Sequence, residues 1–172
     1  MKVRTGAVRT FESVDRMVIN AKAAGRKIVT TNGCFDILHV GHVRYLEGAR
    51  RLGDMLVVGV NSDASVRKIK GAGRPIVPEK DRAEVVASLK SVDAVFIFNG
   101  ATPTRWLKIL KPYIHVKGAD RTIDQIVERR AVEQGGGTVI LAPCVKNIST
   151  TNIIERIRES GQLGPKKYSA RR

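Results

Sequence analysis

The chain has 172 residues, enough for one domain and short for two, and an apolar content of 42% supplies a sizeable core and argues against disorder. No apolar run approaches the roughly 18 uncharged residues a membrane span requires. The outlying number is charge: 31 Lys and Arg against 16 Asp and Glu leave a net +15, which points to an anionic partner, whether a nucleic acid, a membrane surface or a phosphorylated small molecule.

In chain order, Val14, Met17, Val18 and Ala21 recur at helical spacing, and Gly25 stands where a helix C-cap belongs. Lys27–Thr31 reads as a short strand, His42–Arg51 as a helix closed by Gly53, and Met55–Val60 as a nearly continuous apolar strand. After a loop, Pro78 opens a helix that runs to Lys90, and Val92–Phe98 is a further buried-type strand. Thr102-Pro103 predicts an N-cap followed by proline at the first helical position, with Pro112 as the stop. Tyr113–Lys117 is a strand, Thr122–Gln134 a helix ended by Gly135-Gly136-Gly137, Thr138–Leu141 the last strand, and Ser149 the cap of a final helix.

Strands alternating with helices predict right-handed crossovers and a parallel sheet. The expected architecture is a single doubly wound, Rossmann-like α/β domain with a five-stranded parallel sheet over residues 1–160. Residues 1–26 lead in through the first helix, and the basic tail 161–172 is expected to be disordered. Residues 1–30 carry net +5 and the tail +4, so the body keeps a surplus of only +6. Two cysteines, Cys34 and Cys144, cannot build a disulfide framework and suggest a reducing, cytoplasmic setting. The first ten residues have no apolar stretch behind their basic side chains, so no secretory signal is expected.

Ligands of such sheets bind at the carboxyl ends of the strands, which singles out three loops. They are Asn32-Gly-Cys-Phe-Asp-Ile-Leu-His39-Val-Gly-His42, Lys117-Gly-Ala-Asp120, and Asn147-Ile-Ser149-Thr150-Thr151. The first and third run into helices, whose N-termini offer free N–H groups and a positive dipole end to anions. Gly33 and Gly41 allow close approach of backbone to phosphate, and His39 and His42, three apart at a helix entry, can face one ligand.

The run from Thr31 to His42, with Ile148-Ser-Thr-Thr151, resembles the cytidylyltransferase-like nucleotidyltransferases, whose signatures are His-x-Gly-His and Ile-Ser-Thr-Thr. Within them it is most similar to the heptose 1-phosphate adenylyltransferases, the transferase half of bacterial ADP-heptose synthases. That likeness runs from about residue 11 to 158 and includes Val58–Asp63, Arg74-Pro-Ile, Asp81–Val85 and Thr150–Arg156. The resemblance implies that a sugar-phosphate oxygen attacks the α-phosphate of ATP, releasing pyrophosphate, without a covalent enzyme intermediate. It implies that His39 and His42 stabilise the transferring phosphoryl group, and that Lys70, on a glycine-rich loop from Lys68 to Arg74, swings over the phosphates. Asn32, Gly33, Cys34, Phe35 and Gly41 would form the nucleotide loop. Lys117, Gly118 and Asp120 would line the base and ribose pocket, and Ser149, Thr150 and Thr151 would hold the β- and γ-phosphates. Asp36, Asp63 and Arg82 are candidates for the acceptor side. Mg²⁺ is expected, held mainly by the triphosphate, with no protein metal site. The expected partners are ATP, a phosphorylated acceptor such as D-glycero-D-manno-heptose 1-phosphate, and a second copy of the chain in a homodimer.

Two features depart from the resembled pattern. Lys146-Asn147-Ile148 replaces an acidic residue, glycine and an aromatic, and Cys144 replaces the arginine of the glycerol-3-phosphate cytidylyltransferases. Cytidylyl transfer and FMN adenylyl transfer are the neighbouring readings. A basic nucleic-acid-binding module is the alternative from another class, with aromatics at 5% leaving it few stacking platforms. His39 and His42 lack the further ligands a zinc site needs, and Cys34 lacks a triad to activate it.

Overall fold

Among the described residues, six strands form one parallel sheet in the computed structural model, which describes residues 6–119, 122–143 and 148–161. The elements are β1 (Ala7–Val8), α1 (Phe11–Ala23), β2 (Ile28–Gly33), α2 (Val40–Arg50), β3 (Met55–Asn61), α3 (Asp63–Lys70) and α4 (Glu79–Ala87). They continue with β4 (Ala94–Phe98), α5 (Thr104–Leu110), β5 (Ile114–Gly118), a 3-10 turn (Ile123–Gln125), α6 (Arg129–Gln134), β6 (Thr138–Ala142) and α7 (Thr150–Gly161).

The order β1-β4-β3-β2-β5-β6 means that the chain winds outward from β2 through β3 to β4, then returns to lay β5 against the other side of β2. Helices fed off β2 and β5 therefore diverge to opposite faces, and a crevice opens between these two strands at their carboxyl ends. The pleat sorts the core. On β3, Met55 and Val57 face the cluster built on α1, α5 and α6, with Val14, Val18, Leu107, Leu110 and Val132. The intervening Leu56, Val58 and Val60 face the cluster built on α2 and α4, with Leu46, Ala49, Ala83 and Val86. Both faces are covered, which explains why β3 is buried along its entire length.

Three expectations need correction. The sheet has six strands rather than five, because Ala7 and Val8 pair in parallel with Ala94 and Val95 on the outer edge of β4. Two residues carry no periodicity to read. They are admitted by Gly6, where a side chain would stand 2.7 Å from the Val92 carbonyl oxygen. Residues 63–70 form a helix instead of a loop: Ser62 caps it by accepting from the Ser65 N–H at 3.2 Å, and it buries only Ser65 and Val66. So narrow an apolar stripe leaves little helical signature. The single helix foreseen over 122–134 is broken at Ile126, which has extended backbone (φ −84°, ψ 95°) between the 3-10 turn and α6. Ile126 and Glu128 would lie about 200° apart on one continuous helix; the break lets both be buried.

The turn from α6 into β6 runs close under the start of β5, and a Cβ on Gly137 would lie 2.2 Å from the Pro112 carbonyl oxygen. Gly137→Ala is therefore expected to destabilise the domain by about 2 kcal/mol through forced backbone displacement, read as a shift in the urea unfolding midpoint. An unchanged midpoint would show that the two turns do not pack this closely.

Candidate active site

The first loop at the crevice leaves β2 at Gly33 and enters α2 after His39. Phe35 adopts a positive φ of 47°, which folds its ring over Gly33; a Cβ there would come within 3.0 Å of Phe35 Cε2. The same ring meets His42 edge-on, with centroids 5.3 Å apart. His39 occupies the N-cap of α2 in extended conformation, and no side chain caps the helix. The His39 carbonyl accepts from the His42 N–H at 2.9 Å, and the two imidazoles stack with centroids 3.8 Å apart and planes inclined by 21°. Their Nδ1 atoms are buried without a hydrogen-bond partner among the described residues.

Burial, and then the neighbouring His39, pushes His42 down to about 4, and burial also lowers His39. Both rings are thus neutral at pH 7, stacked at an uncapped helix N-terminus whose dipole favours an anion. The third loop reaches the same place. Thr150 donates its hydroxyl to the Ile37 carbonyl at 3.3 Å, drawing the start of α7 onto the 34–39 segment. Ser149 caps α7, its Oγ accepting from the Asn152 N–H at 3.1 Å and donating to Asn152 Oδ1. Thr151 is exposed beside them.

On the opposite side of the switch, Lys117, next to last in β5, has Nζ 2.9 Å from Glu128 Oε1 and donates to Asn32 Oδ1 at 3.1 Å, bridging β5 and β2. Gly118 closes β5, where it pairs with Ala142 of β6. Asp120, Cys144 and the Lys146-Asn147 pair lie outside the described residues.

The foreseen acceptor residues are placed differently. Asp36 is buried, accepts from the N–H groups of Ile76 and Val77 at 2.8 and 2.9 Å, and pairs with Arg74, so it fastens the 74–77 segment to the first loop. Arg82 is 1% exposed and donates to the carbonyls of Cys34, Asn61 and Val77 and to Asp63 Oδ1, which leaves it supporting the site from beneath. Asp63 does face a cavity of about 530 Å³ at the ends of β3 and β4, lined also by Arg67, Glu79, Lys80 and Asn99. Lys70 is the exposed last residue of α3, not part of a glycine loop, though near enough for its charge to act on the Cys34 thiol. Burial raises that thiol's pKa, which keeps the half-buried Cys34 protonated at pH 7. No cluster of three or more His, Cys, Asp or Glu that could hold a metal occurs among the described residues.

The family model described as cytidylyltransferase-like matches residues 30–156, which takes in β2, both histidines and the start of α7. The chain belongs to the cytidylyltransferase-like family. It is accordingly a nucleotidyltransferase. Among curated proteins it is 50% identical over 151 residues to the bifunctional protein HldE of Geotalea uraniireducens, covering 88% of this chain and 31% of that protein. The HldE of Pelobacter propionicus is 54% identical over 138 residues, which cover 80% of this chain and 28% of that protein. The chain therefore spans about a third of the length of these relatives. A crystal structure titled as a lipopolysaccharide core biosynthesis protein, from Thermoplasma volcanium, superposes with a TM-score of 0.60 at 32% identity, over 72% of this chain and all of the other.

Two residues that sequence reasoning missed help build this cytidylyltransferase-like crevice. Tyr45 sits three residues after His42 on α2; its hydroxyl lies 2.7 Å from Thr31 Oγ1 and donates to the Val116 carbonyl at 2.9 Å, locking α2 across the switch. The i, i+3 spacing from His42 was the available signal. Glu128 gave none, because its burial depends on the break at Ile126.

Two predictions follow from the electrostatics. Between about 6.5 and 4 the unfolded chain binds protons that folded His42 refuses, so stability is full above this window and falls as pH drops through it. Thermal melting of the wild type should decline from pH 6.5 to 4.5 more steeply than that of His42→Asn; parallel curves would contradict a neutral, desolvated ring. Arg82→Met strands the carbonyls of Cys34, Asn61 and Val77 and the Asp63 carboxylate, and should cost about 3 kcal/mol in urea unfolding. A loss below about 1 kcal/mol would mean that water replaces the guanidinium.

Proposed function

We propose that this domain transfers AMP from ATP to D-glycero-D-manno-heptose 1-phosphate, forming ADP-heptose and pyrophosphate. The observation that carries the reading is the stacked, neutral His39–His42 pair at the uncapped N-terminus of α2, facing the start of α7 across the switch point. The identity of about 50% to bifunctional HldE proteins supports the acceptor.

An oxygen of the sugar phosphate attacks the α-phosphorus of ATP, the bond from that phosphorus to the bridging oxygen breaks, and pyrophosphate leaves with the electron pair. Two neutral imidazoles next to a helix N-terminus would donate hydrogen bonds to the phosphoryl oxygens as charge gathers there, without carrying a full positive charge of their own. The start of α7, with Ser149, Thr150 and Thr151, would meet the β- and γ-phosphates. Lys117, Gly118 and Asn32 would line the nucleoside side, with Asp120 completing it, and Lys70 would approach the phosphates from α3. The cavity lined by Asp63 and Glu79 is the place for the acceptor's hydroxyls.

Mg²⁺ would be held by the triphosphate, which suits a crevice where Asp36 and Glu128 are already paired with Arg74 and Lys117; bound there, it neutralises phosphate charge. No helix among the described residues is long and apolar enough to cross a membrane, consistent with work in the cytoplasm, where ATP is supplied. A homodimer is the assembly proposed, and Ile157, 60% exposed on α7, is available to such a contact.

The test is a pyrophosphate-release screen pairing ATP, CTP and GTP with heptose 1-phosphate, glycerol 3-phosphate, other sugar 1-phosphates and FMN. Release is expected with ATP and heptose 1-phosphate, falling at least about a hundredfold in His39→Ala and in His42→Ala, the typical loss when one transition-state donor is removed. Absence of release with ATP and any acceptor, or full turnover in both variants, would refute the assignment.

A further inference from the structure

Behind the crevice lies a polar chain that the reaction as described does not use. Glu128, just before α6, is 3% exposed, and His115 in the middle of β5 is wholly buried. The Glu128 carboxylate stands 3.6 Å from His115 Nε2 and 2.9 Å from Lys117 Nζ, and His115 Nδ1 lies 2.9 Å from Thr30 Oγ1. Burial alone would raise a carboxyl's pKa, but His115 and Lys117 together outweigh it and hold Glu128 at about 2. Burial conversely keeps His115 neutral. A neutral imidazole beside an anion carries its proton on the nitrogen facing the anion, so His115 turns Nε2–H toward Glu128 across a 3.6 Å gap, longer than a hydrogen bond, and leaves Nδ1 to accept from Thr30.

Lys117 therefore emerges from the core with its charge already balanced. Its outward reach is to Asn32, which accepts the ammonium proton through Oδ1 at 3.1 Å. With Oδ1 committed to Lys117, the Asn32 Nδ2 hydrogens are left to a partner other than the lysine, on a residue that stands next to last in β2 where the His39–His42 loop begins. An asparagine without this tether could flip and present its oxygen to a phosphate or ribose oxygen, a repulsive arrangement. A lysine without Glu128 could leave Asn32 and swing to the anion directly.

We infer that Glu128 is a positioning residue for nucleotide binding: it anchors Lys117, and Lys117 fixes the Asn32 amide with its N–H donors toward the nucleotide. The inference rests on the nucleotidyltransferase reading of the crevice and adds to it a residue eight positions beyond Asp120, the nearest contact predicted from the sequence. The acidic side chain serves an anion site by orientation, since its own charge would repel the ligand if it were not matched by Lys117.

The experiment is isothermal titration of ATP into the full 172-residue chain, as wild type, Glu128→Gln, Glu128→Ala, Asn32→Ala and the Glu128→Ala/Asn32→Ala double variant, each first checked for cooperative unfolding. Glu128→Ala is expected to weaken ATP binding about tenfold and Glu128→Gln about threefold, since the amide oxygen still accepts from Lys117. Once Asn32 is gone, Glu128→Ala should cost less than about twofold more, because both variants break the same chain of contacts. In turnover assays the KM for ATP should rise while the KM for the acceptor stays near that of the wild type. If Glu128→Ala does not fold, the same cycle is run with Glu128→Gln. Unchanged ATP affinity in the Glu128 variants, or losses that add in full to that of Asn32→Ala, would overturn the positioning role. A wild-type chain that binds no ATP would overturn the transferase reading and this inference together, an outcome distinct from variants that bind as the wild type does.

Discussion

Three backbone carbonyls from separate segments of the carboxyl edge, those of Cys34, Asn61 and Val77, converge on the guanidinium of Arg82, which also meets Asp63. Loops at the ends of parallel strands have no ladder to satisfy their polar groups, and here Asn61 is buried and Cys34 and Val77 are half-buried. A planar donor fork can bond several carbonyls at once, which a lysine cannot do from one geometry. The Asp63 partner keeps the buried charge from standing alone. The bend that brings Phe35 over Gly33, and the entry angle of α2 that stacks His39 on His42, start from a loop held in this way. Asp36 repeats the device with opposite sign by gathering Arg74 and the N–H groups of Ile76 and Val77.

This changes the meaning of the net charge of +15. Inside the body, Arg50, Arg74, Arg82 and Lys117 are matched by Asp93, Asp36, Asp63 and Glu128. On the function proposed, the crevice's attraction for phosphate would lean on oriented dipoles and uncharged imidazoles more than on these paired cations. Dipoles at a helix start are directional and fall off within a turn, so they favour a correctly placed phosphoryl group over a diffuse polyanion. That distinguishes the site from a nucleic-acid surface, where unpaired Lys and Arg supply a sequence-independent, salt-sensitive attraction.

Much of the architecture was legible because it depends on features with a period or a sharp marker. The continuous apolar run of β3 announced burial on both faces, Gly25 and Ser149 marked helix ends, and strand–helix alternation announced the crossovers. The histidine pair was legible from its spacing. What escaped depends on tertiary context: β1 exists only where β4 offers an edge, α3 buries two side chains, and the break at Ile126 is chosen by what it lets the core enclose. Arg82 and Asp36 were visible as charged residues near the right loops, but nothing in the linear pattern says whether a charge faces the ligand or the backbone behind it. Glu128 belongs to the same class, an acid whose significance appears only once His115 and Lys117 are beside it.

Keeping the histidines neutral has a further consequence for a site that must release two anionic products. A pair of permanent cations would bind pyrophosphate about as firmly as the transition state, and equal binding of both does not accelerate turnover. On the function proposed above, imidazoles whose protonated form is opposed by burial, and in His42 also by its neighbour, would bond strongly only while a nearby phosphoryl group carries extra charge. As that charge moved onto the leaving pyrophosphate, the rings, neutral throughout, would remain as the stack at the start of α2. On that reading, the desolvation that makes the pair expensive to protonate would be the feature that lets it hold the reacting phosphoryl group without trapping the product.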